Sequence, residues 1–399
     1  MISVTGRLAI KRNKYHIVAT FYLQNERKER WKSTGYELKG NKKRAEALID
    51  DFVDEVKKEV ESSLKAKNST TQIEFVCFMR KWLDIVKYNI EESTYGGYQS
   101  QINSRISEFF KPLDIKIQDL QAFQIQEFYH YLKEQGLSGN TVHRYYSIIR
   151  KALNYAVKMD IIVSNPSLKV DPPKKNKFIG SYYSSKEMEQ LFKHIANTSF
   201  ELPILLAAFY GLRRSEVLGL KIDAVDFDEK TITIRHIVTE STINNKRQII
   251  VKDSTKTKSS YRTLPLVNVI EESILNAIQQ QKEYQIICGN DYNYDYQDYL
   301  CKDEFGNRFK PGYISKKFKK ILIENELRII RFHDLRHSCA SLLIAEDIPL
   351  KDIQEWLGHS TLSTTADIYV HLDSKRKISS ANKLANKLNT SMFSNSNSI

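Results

Sequence analysis

Residues 171–177, Asp-Pro-Pro-Lys-Lys-Asn-Lys, constrain the chain more than any other stretch. Two adjacent prolines remove two backbone donors and fix φ, so neither a helix interior nor an inner strand can run through them. They separate a purely helical pattern from a mixed one, and 399 residues leave room for two to three domains. The lysines that follow read either as a solvated linker or as cations laid along a phosphate backbone.

Before the prolines, residues 73–159 are helical in pattern. The clearest helix, 141–159, opens at Ser138-Gly139-Asn140 and carries Val142, Tyr145, Ile149, Leu153 and Ala156 on one face. Arg144, Arg150, Lys151 and Lys158 fall largely off that face, either solvated or set against a DNA backbone. The polar stretch 62–71 predicts a linker. Residues 1–65 predict a small sheet with a helix: strands over 5–11, 15–23 and 27–34, then Ala45, Leu48, Ile49, Phe52, Val53 and Val56 at helical spacing. Strand alternation puts Lys28, Arg30 and Lys32 on one face. That face reads as a groove-reading ribbon or as a solvated surface.

After the prolines, helices are expected over 185–195 and 203–209, strands over 231–238, 248–251 and 262–266, and helices again from 268 onward. The Ser/Asn-rich end, 391–399, should fray. Residues 284–310, rich in Tyr and Asp, suggest no role. The expected class is multidomain α+β: a small sheet-plus-helix domain (1–65), an all-α domain with its linker (66–173), and a mainly α domain with a small antiparallel sheet and a C-terminal tail (174–399).

Charge narrows the partner. The chain holds 61 Lys+Arg against 48 Asp+Glu, a net charge of +13 and a pI near 9.2, which suits a polyanion such as nucleic acid. At 41% hydrophobic residues, the chain can build real cores, and wholesale disorder is excluded. No run approaches the ~18 apolar residues of a membrane span, and the start shows no apolar h-region. A soluble protein of the cytoplasm, without membrane association, is expected. Cys77, Cys288, Cys301 and Cys339 are scattered and form no Cys-x-x-Cys pair, so reduced thiols are the plain reading.

Four segments concentrate ionisable groups within apolar patterns: 209–220, 255–265, 331–340 and 356–371. Taken singly, each has an ordinary explanation. Arg213 and Glu216, three apart, suit a surface helix pair. His333 and His337 have the i, i+4 spacing of a zinc pair, yet Asp334 stands where a zincin needs Glu, and no third ligand is evident. Taken together, they fit phosphodiester cleavage. That reaction needs guanidinium forks round the non-bridging oxygens, a nucleophile, and groups that move protons. Nothing resembles a Walker loop or a paired-carboxylate Mg²⁺ site.

In these motifs the chain resembles the tyrosine recombinases, or phage-type integrases, and in its organisation those of mobile elements in Gram-positive bacteria. The likeness is strongest over 211–220, 333–336 and 357–369. It places the family's first arginine at Arg213 in Gly-Leu-Arg-Arg-Ser-Glu and its acidic companion at Glu216. The hairpin lysine falls on Lys256, with Lys258 as the alternative. The His-x-x-Arg box falls on His333 and Arg336, the Leu-Gly-His box on His359, and the nucleophile on Tyr369, ten residues later.

The resemblance implies a site-specific recombinase with an arm-binding domain, a core-binding domain and a catalytic domain. Tyr369 would attack the phosphodiester to leave a 3′-phosphotyrosyl link. Arg213, Arg336 and His359 would stabilise the phosphorane charge, Lys256 would protonate the leaving 5′-oxygen, His333 would accept the tyrosine proton, and Glu216 would support the geometry. No metal or cofactor is implied. The implied partners are duplex attachment sites of core and arm type, contacted by Lys28, Arg30, Lys32, Arg144, Lys151, Lys174 and Lys175. A homotetramer in the synapse, an excisionase and a host DNA-bending protein complete the set. Residues 375–388 would pack on a neighbouring protomer or on their own domain. A type IB topoisomerase, a catalytically silent DNA-binding factor and a zinc hydrolase are the rival readings.

Overall fold

The computed structural model describes residues 3–23, 26–69, 72–175, 180–253 and 261–361. It divides into two units, Met1–Lys177 and Phe178–Ile399. The division falls at the end of the Asp171–Lys177 stretch that carries the double proline.

The first unit holds two separate hydrophobic clusters. The smaller belongs to an antiparallel sheet of β1 (Val4–Lys11), β2 (Lys14–Leu23) and β3 (Glu26–Glu37), in that order. Arg12 and Asn13 turn β1 into β2 with φ of 50° and 59°, the left-handed pair that a two-residue hairpin demands. After the short α1 (Lys42–Glu46), α2 (Ile49–Ser69) lies across one face, and Phe52, Val56 and Val60 pack on Ile17, Ala19 and Phe21. Gly6 makes this approach workable, since a Cβ there would sit 2.4 Å from Ile49 Cγ2. The stretch expected as a linker from residue 62 is instead helical to Ser69. Leu64, Lys65, Ala66 and Lys67 are good helix formers, and propensity outweighs polarity there.

The larger cluster joins α3 (Phe75–Val86), α4 (Glu92–Gln101), α5 (Ser107–Phe110), α6 (Ala122–Glu134) and α7 (Gly139–Lys158). The α7 start is as expected: Ser138 Oγ accepts from the Thr141 amide at 3.3 Å. Its apolar face, including Ile148, Ile149 and Leu153, is fully buried.

In the second unit, helices α8 (Ser185–Ile195), α9 (Glu201–Phe209), α10 (Arg214–Gly219), α11 (Asn268–Cys288), α12 (Pro311–Glu324), α13 (Asp334–Ala345) and α14 (Leu350–Leu357) surround small sheets. Helix α9 is buried almost all round, with Pro203 tolerated in its first turn. Strands β4 (Val225–Asp226), β5 (Thr231–Ile234) and β8 (Arg262–Pro265) form one sheet, and β6 (Ile237–Ile243) with β7 (Lys246–Lys252) another. The single strand expected over 231–238 is therefore two strands in two sheets, broken at Arg235-His236. Alternation alone could not reveal the corner, because the pattern continues through it. Among the described residues no helix is long and apolar enough to cross a membrane.

Candidate active site

Helix α10 opens at Arg213, whose backbone N–H donates to Glu216 Oε2 at 3.0 Å. The side chain of the same arginine donates from Nη1 to Glu216 Oε1 at 2.5 Å and from Nη2 to the Gly358 carbonyl at 2.7 Å. Gly358 ends α14 in the left-handed conformation, φ 67°. The surface-pair reading of Arg213 and Glu216 thus fails, for Glu216 is 2% exposed.

A further guanidinium completes the enclosure of Glu216. Arg262, at the start of β8, donates from Nη2 to Glu216 Oε2 at 3.0 Å and from Nε to the Trp356 carbonyl at 2.8 Å. Burial alone pushes the Glu216 pKa up, but Arg262 and then Arg213 outweigh it and hold it below the ordinary carboxylate range. Arg262 belongs to the cation-rich segment 255–265, where no local spacing distinguishes it from its neighbours.

Arg336, in the first turn of α13, is 2% exposed. Its Nη1 donates to the Gly211 carbonyl at 2.6 Å and its Nε to His359 Nε2 at 3.2 Å. Its Nη2 is buried without a hydrogen-bond partner among the described residues. Burial, and next the charge of Arg213, lower its pKa to about 9, which still leaves it charged at neutral pH. Glu216 is thus the carboxylate around which three guanidinia gather, Arg213 and Arg262 by direct hydrogen bonds and Arg336 through its charge.

His359 and His333 are neutral at pH 7. Burial, followed by Arg336 and Arg213, takes His359 down to about 3. Since its Nε2 accepts from Arg336, its own proton sits on Nδ1. His333 immediately precedes α13; it reaches solvent, yet desolvation by its packed neighbours, then His337, brings it to about 4. The His333 and His337 rings meet edge to face at 5.3 Å. Among the described residues no group of three or more His, Cys, Asp or Glu is arranged to hold a metal ion. Asp334 is engaged instead by Arg331, whose Nη2 lies 2.6 Å from it. Beside the cluster, an open cleft of about 880 Å³ is lined by Arg213, Arg214, Lys319, Arg331 and His333 among others. Lys256, its alternative Lys258 and Tyr369 lie outside the described residues, as do residues 375–388.

The expected DNA-contacting residues are placed unequally. Lys28, Arg30 and Lys32 do share a face, but it is the face that α2 covers. Lys32 Nζ lies 2.5 Å from Glu55, and Arg30 lies 3.9 Å from Glu59. The opposite face carries Arg7, Lys11, Arg27 and Trp31, with Lys11 Nζ 5.7 Å from the Trp31 ring centre. Arg144, Lys174 and Lys175 are exposed, and Lys151 is exposed while donating to Tyr98 Oη at 2.9 Å.

Comparison with known proteins agrees with this geometry. The model of the phage integrase family matches residues 182–376, and that of the phage integrase SAM-like domain matches residues 74–171. A XerC-like tyrosine recombinase of Caldanaerobacter subterraneus subsp. tengcongensis is 28% identical over 320 residues, 77% of this chain and 81% of that protein. The ICEBs1 integrase of Bacillus subtilis is 29% identical over 304 residues, 73% of this chain and 78% of that one. Among solved structures, the Tn1549 transposon integrase in complex with a circular intermediate DNA has a TM-score of 0.63 at 18% identity, covering 77% of this chain and 99% of that one. A lambda integrase dimer bound to a core site has a TM-score of 0.58 at 16% identity, with 90% and 93% coverage. At those identities the structures establish the fold. Fold and matches together define a tyrosine-type, site-specific DNA recombinase. The chain belongs to the phage integrase family.

Proposed function

We propose that the guanidinium cluster seats the scissile phosphate of a DNA attachment site, and that the protein integrates and excises a mobile element. One observation carries this reading: the Arg336 Nη2 group, charged, buried and unpartnered among the described residues. Leaving a charged donor unsatisfied is costly unless a ligand completes it, and a phosphate oxygen is the acceptor that a guanidinium fork fits. Arg213 and Arg336 would stabilise the non-bridging oxygens, with His359 donating from Nδ1. Glu216, through Arg213 and Arg262, would hold the array in place.

In the proposed step the Tyr369 oxygen bonds to phosphorus and the bond from phosphorus to O5′ breaks. His333 takes the tyrosine proton, and Lys256 gives one to O5′. The phosphotyrosyl link conserves the bond energy, so a partner's 5′-hydroxyl can reverse the step without ATP. Residues 1–65 would bind arm sites, 66–173 would hold the core duplex with the linker lysines, and 174–399 would carry the chemistry and the C-terminal tail. The tetramer on a Holliday junction formed by lambda integrase supports a tetrameric synapse here. Action on bacterial chromosomal DNA would put the protein in the cytoplasm at the nucleoid. An excisionase and a host DNA-bending protein would set the direction and shape of the synapse. The open sheet face, with Arg7, Lys11, Arg27 and Trp31, is better suited to DNA than the helix-covered face.

The test is a nicked suicide duplex carrying the ends of the element, incubated with chelator. A covalent protein–DNA band is expected with the native chain and none with Tyr369→Phe, which should still bind. A band that persists in Tyr369→Phe moves the nucleophile elsewhere. Tight binding without any band favours a silent binding factor.

A further inference from the structure

His236 occupies the corner between β5 and β6, 6% exposed, and both of its ring nitrogens are engaged. Nδ1 meets the carboxylate of Asp253, and Nε2 lies 2.9 Å from Tyr299 Oη. An ionised carboxylate only accepts, so Nδ1 carries the proton; in the neutral ring Nε2 then accepts from the Tyr299 hydroxyl. The chain of bonds runs from Tyr299 through His236 to Asp253.

Each end of that chain is fixed to something. On the Tyr299 side, Arg308 stacks against the rings of Tyr296 and Tyr299 at 4.7 and 4.8 Å, and Lys221 Nζ lies 5.1 Å above the Tyr299 ring. The neighbouring backbone, Leu300 N–H, donates to the Leu220 carbonyl at 3.1 Å, directly after α10. His236 is tied to α10 by its backbone too: a Cβ on Gly219 would lie 2.4 Å from the His236 carbonyl oxygen, so only glycine allows that approach. On the other side, Asp253 follows β7 and its side chain is 91% exposed. Among the described residues, the hydrogen bond to His236 ties this exposed carboxylate to the corner.

We infer that His236 is a positioning residue: it fixes Asp253, and so the strand end from which Lys256 follows, to the helix that carries Arg213 and Glu216. Lys256 lies three residues beyond Asp253 in the sequence. The Tyr-rich stretch 284–310 thereby gains a function, as the buttress of His236 through Tyr299. This inference rests on the proposed role of Lys256 as the acid that protonates O5′.

The experiment compares single-turnover cleavage of an ordinary core duplex with that of the same duplex carrying a 5′-bridging sulfur, whose thiolate leaves without a proton. A positioned acid contributes about 10²–10⁴-fold. His236→Ala is expected to forfeit about tenfold of that on the ordinary duplex and almost nothing on the sulfur duplex, with DNA binding unchanged. His236→Asn, whose amide can still donate towards Asp253, should recover most of the loss. Equal slowing on both duplexes would make His236 merely structural and overturn the inference, as would no slowing at all. Lys256→Ala is run in parallel. If sulfur fails to rescue Lys256→Ala, the acid assignment itself is wrong; if sulfur rescues Lys256→Ala but not His236→Ala, only the positioning role falls.

Discussion

Nη1 of Arg336 donates to the carbonyl oxygen of Gly211 at 2.6 Å, joining groups 125 positions apart in the chain. Arg213 is held in the same manner by Gly358, and both glycines have positive φ, 59° and 67°. Each arginine is therefore aimed by a carbonyl that only a left-handed turn presents. A guanidinium fixed before substrate arrives needs no reorganisation when charge develops on the phosphorane.

Gly211→Ala tests this arrangement. A Cβ at Gly211 would lie 2.3 Å from Leu357 Cδ2, and the backbone would stay in a region disfavoured for alanine. The expected cost is about 1–3 kcal/mol of stability, with cleavage falling further than the lost folded fraction explains. Urea titration with single-turnover cleavage checks both. Cleavage that merely tracks the folded fraction would count against the aiming role.

Arg262 offers a sharper test of the buried network. It and Glu216 are 7% and 2% exposed at their side chains, and removing one partner of a buried pair typically costs about 3–5 kcal/mol. Arg262→Ala should approach the lower end, because Arg213 still holds Glu216. Adding Glu216→Gln should deepen the loss, because Arg213 and Arg336 then lose the carboxylate they share, but by less than the two single losses summed. Strictly additive losses in denaturant melts would show that the two residues do not act as a pair.

Much of this site is legible in the sequence, and the reason is local. Arg213 with Glu216, and His333 with Arg336, sit within one helical turn of each other, so the family resemblance can pick them out as short motifs where spacing by itself suggests only ordinary helix pairs. What is illegible depends on long-range packing. Arg262 joins Glu216 from 46 positions away, and the strand break at His236 exists because β5 and β6 find different partners. In the first sheet, alternation correctly groups Lys28, Arg30 and Lys32. It cannot say which face α2 covers, because α2 presents Phe52 and Val56 to the sheet while Glu55 and Glu59 reach its cations.

The neutral histidines make stability depend on pH. In the unfolded chain a histidine titrates near 6.5, whereas burial first and Arg336 next hold His359 at about 3. Between those values the unfolded state binds a proton that the folded state refuses, so stability is full above about pH 6.5 and falls as pH drops towards 3. His333, at about 4, acts in the same direction, weakened by its exposure. Thermal melts from pH 7.5 down to 4.5 should therefore show a steeper loss for the native chain than for His359→Gln, which has no ring to protonate. Parallel slopes would mean that His359 titrates normally in the folded chain.

The two faces of the N-terminal sheet can be separated by charge removal. Arg7, Lys11 and Arg27 stand on the open side around Glu29: Arg27 lies 2.7 Å and Arg7 3.5 Å from that carboxylate, and Trp31 donates to it at 3.3 Å. An exposed aromatic flanked by cations suits a duplex groove and its phosphates. Lys32 lies instead on the face that α2 covers, paired with Glu55 of that helix, and an exposed ion pair of that kind is worth at most about 1 kcal/mol. Arg7→Ala with Arg27→Ala should weaken binding to arm-site duplexes and reduce its salt dependence by about one unit of slope for each phosphate no longer neutralised. Lys32→Ala should leave both nearly unchanged and cost only a small amount of stability. Fluorescence anisotropy across a salt series distinguishes them, and a larger effect from Lys32→Ala would return the DNA to the face that α2 covers.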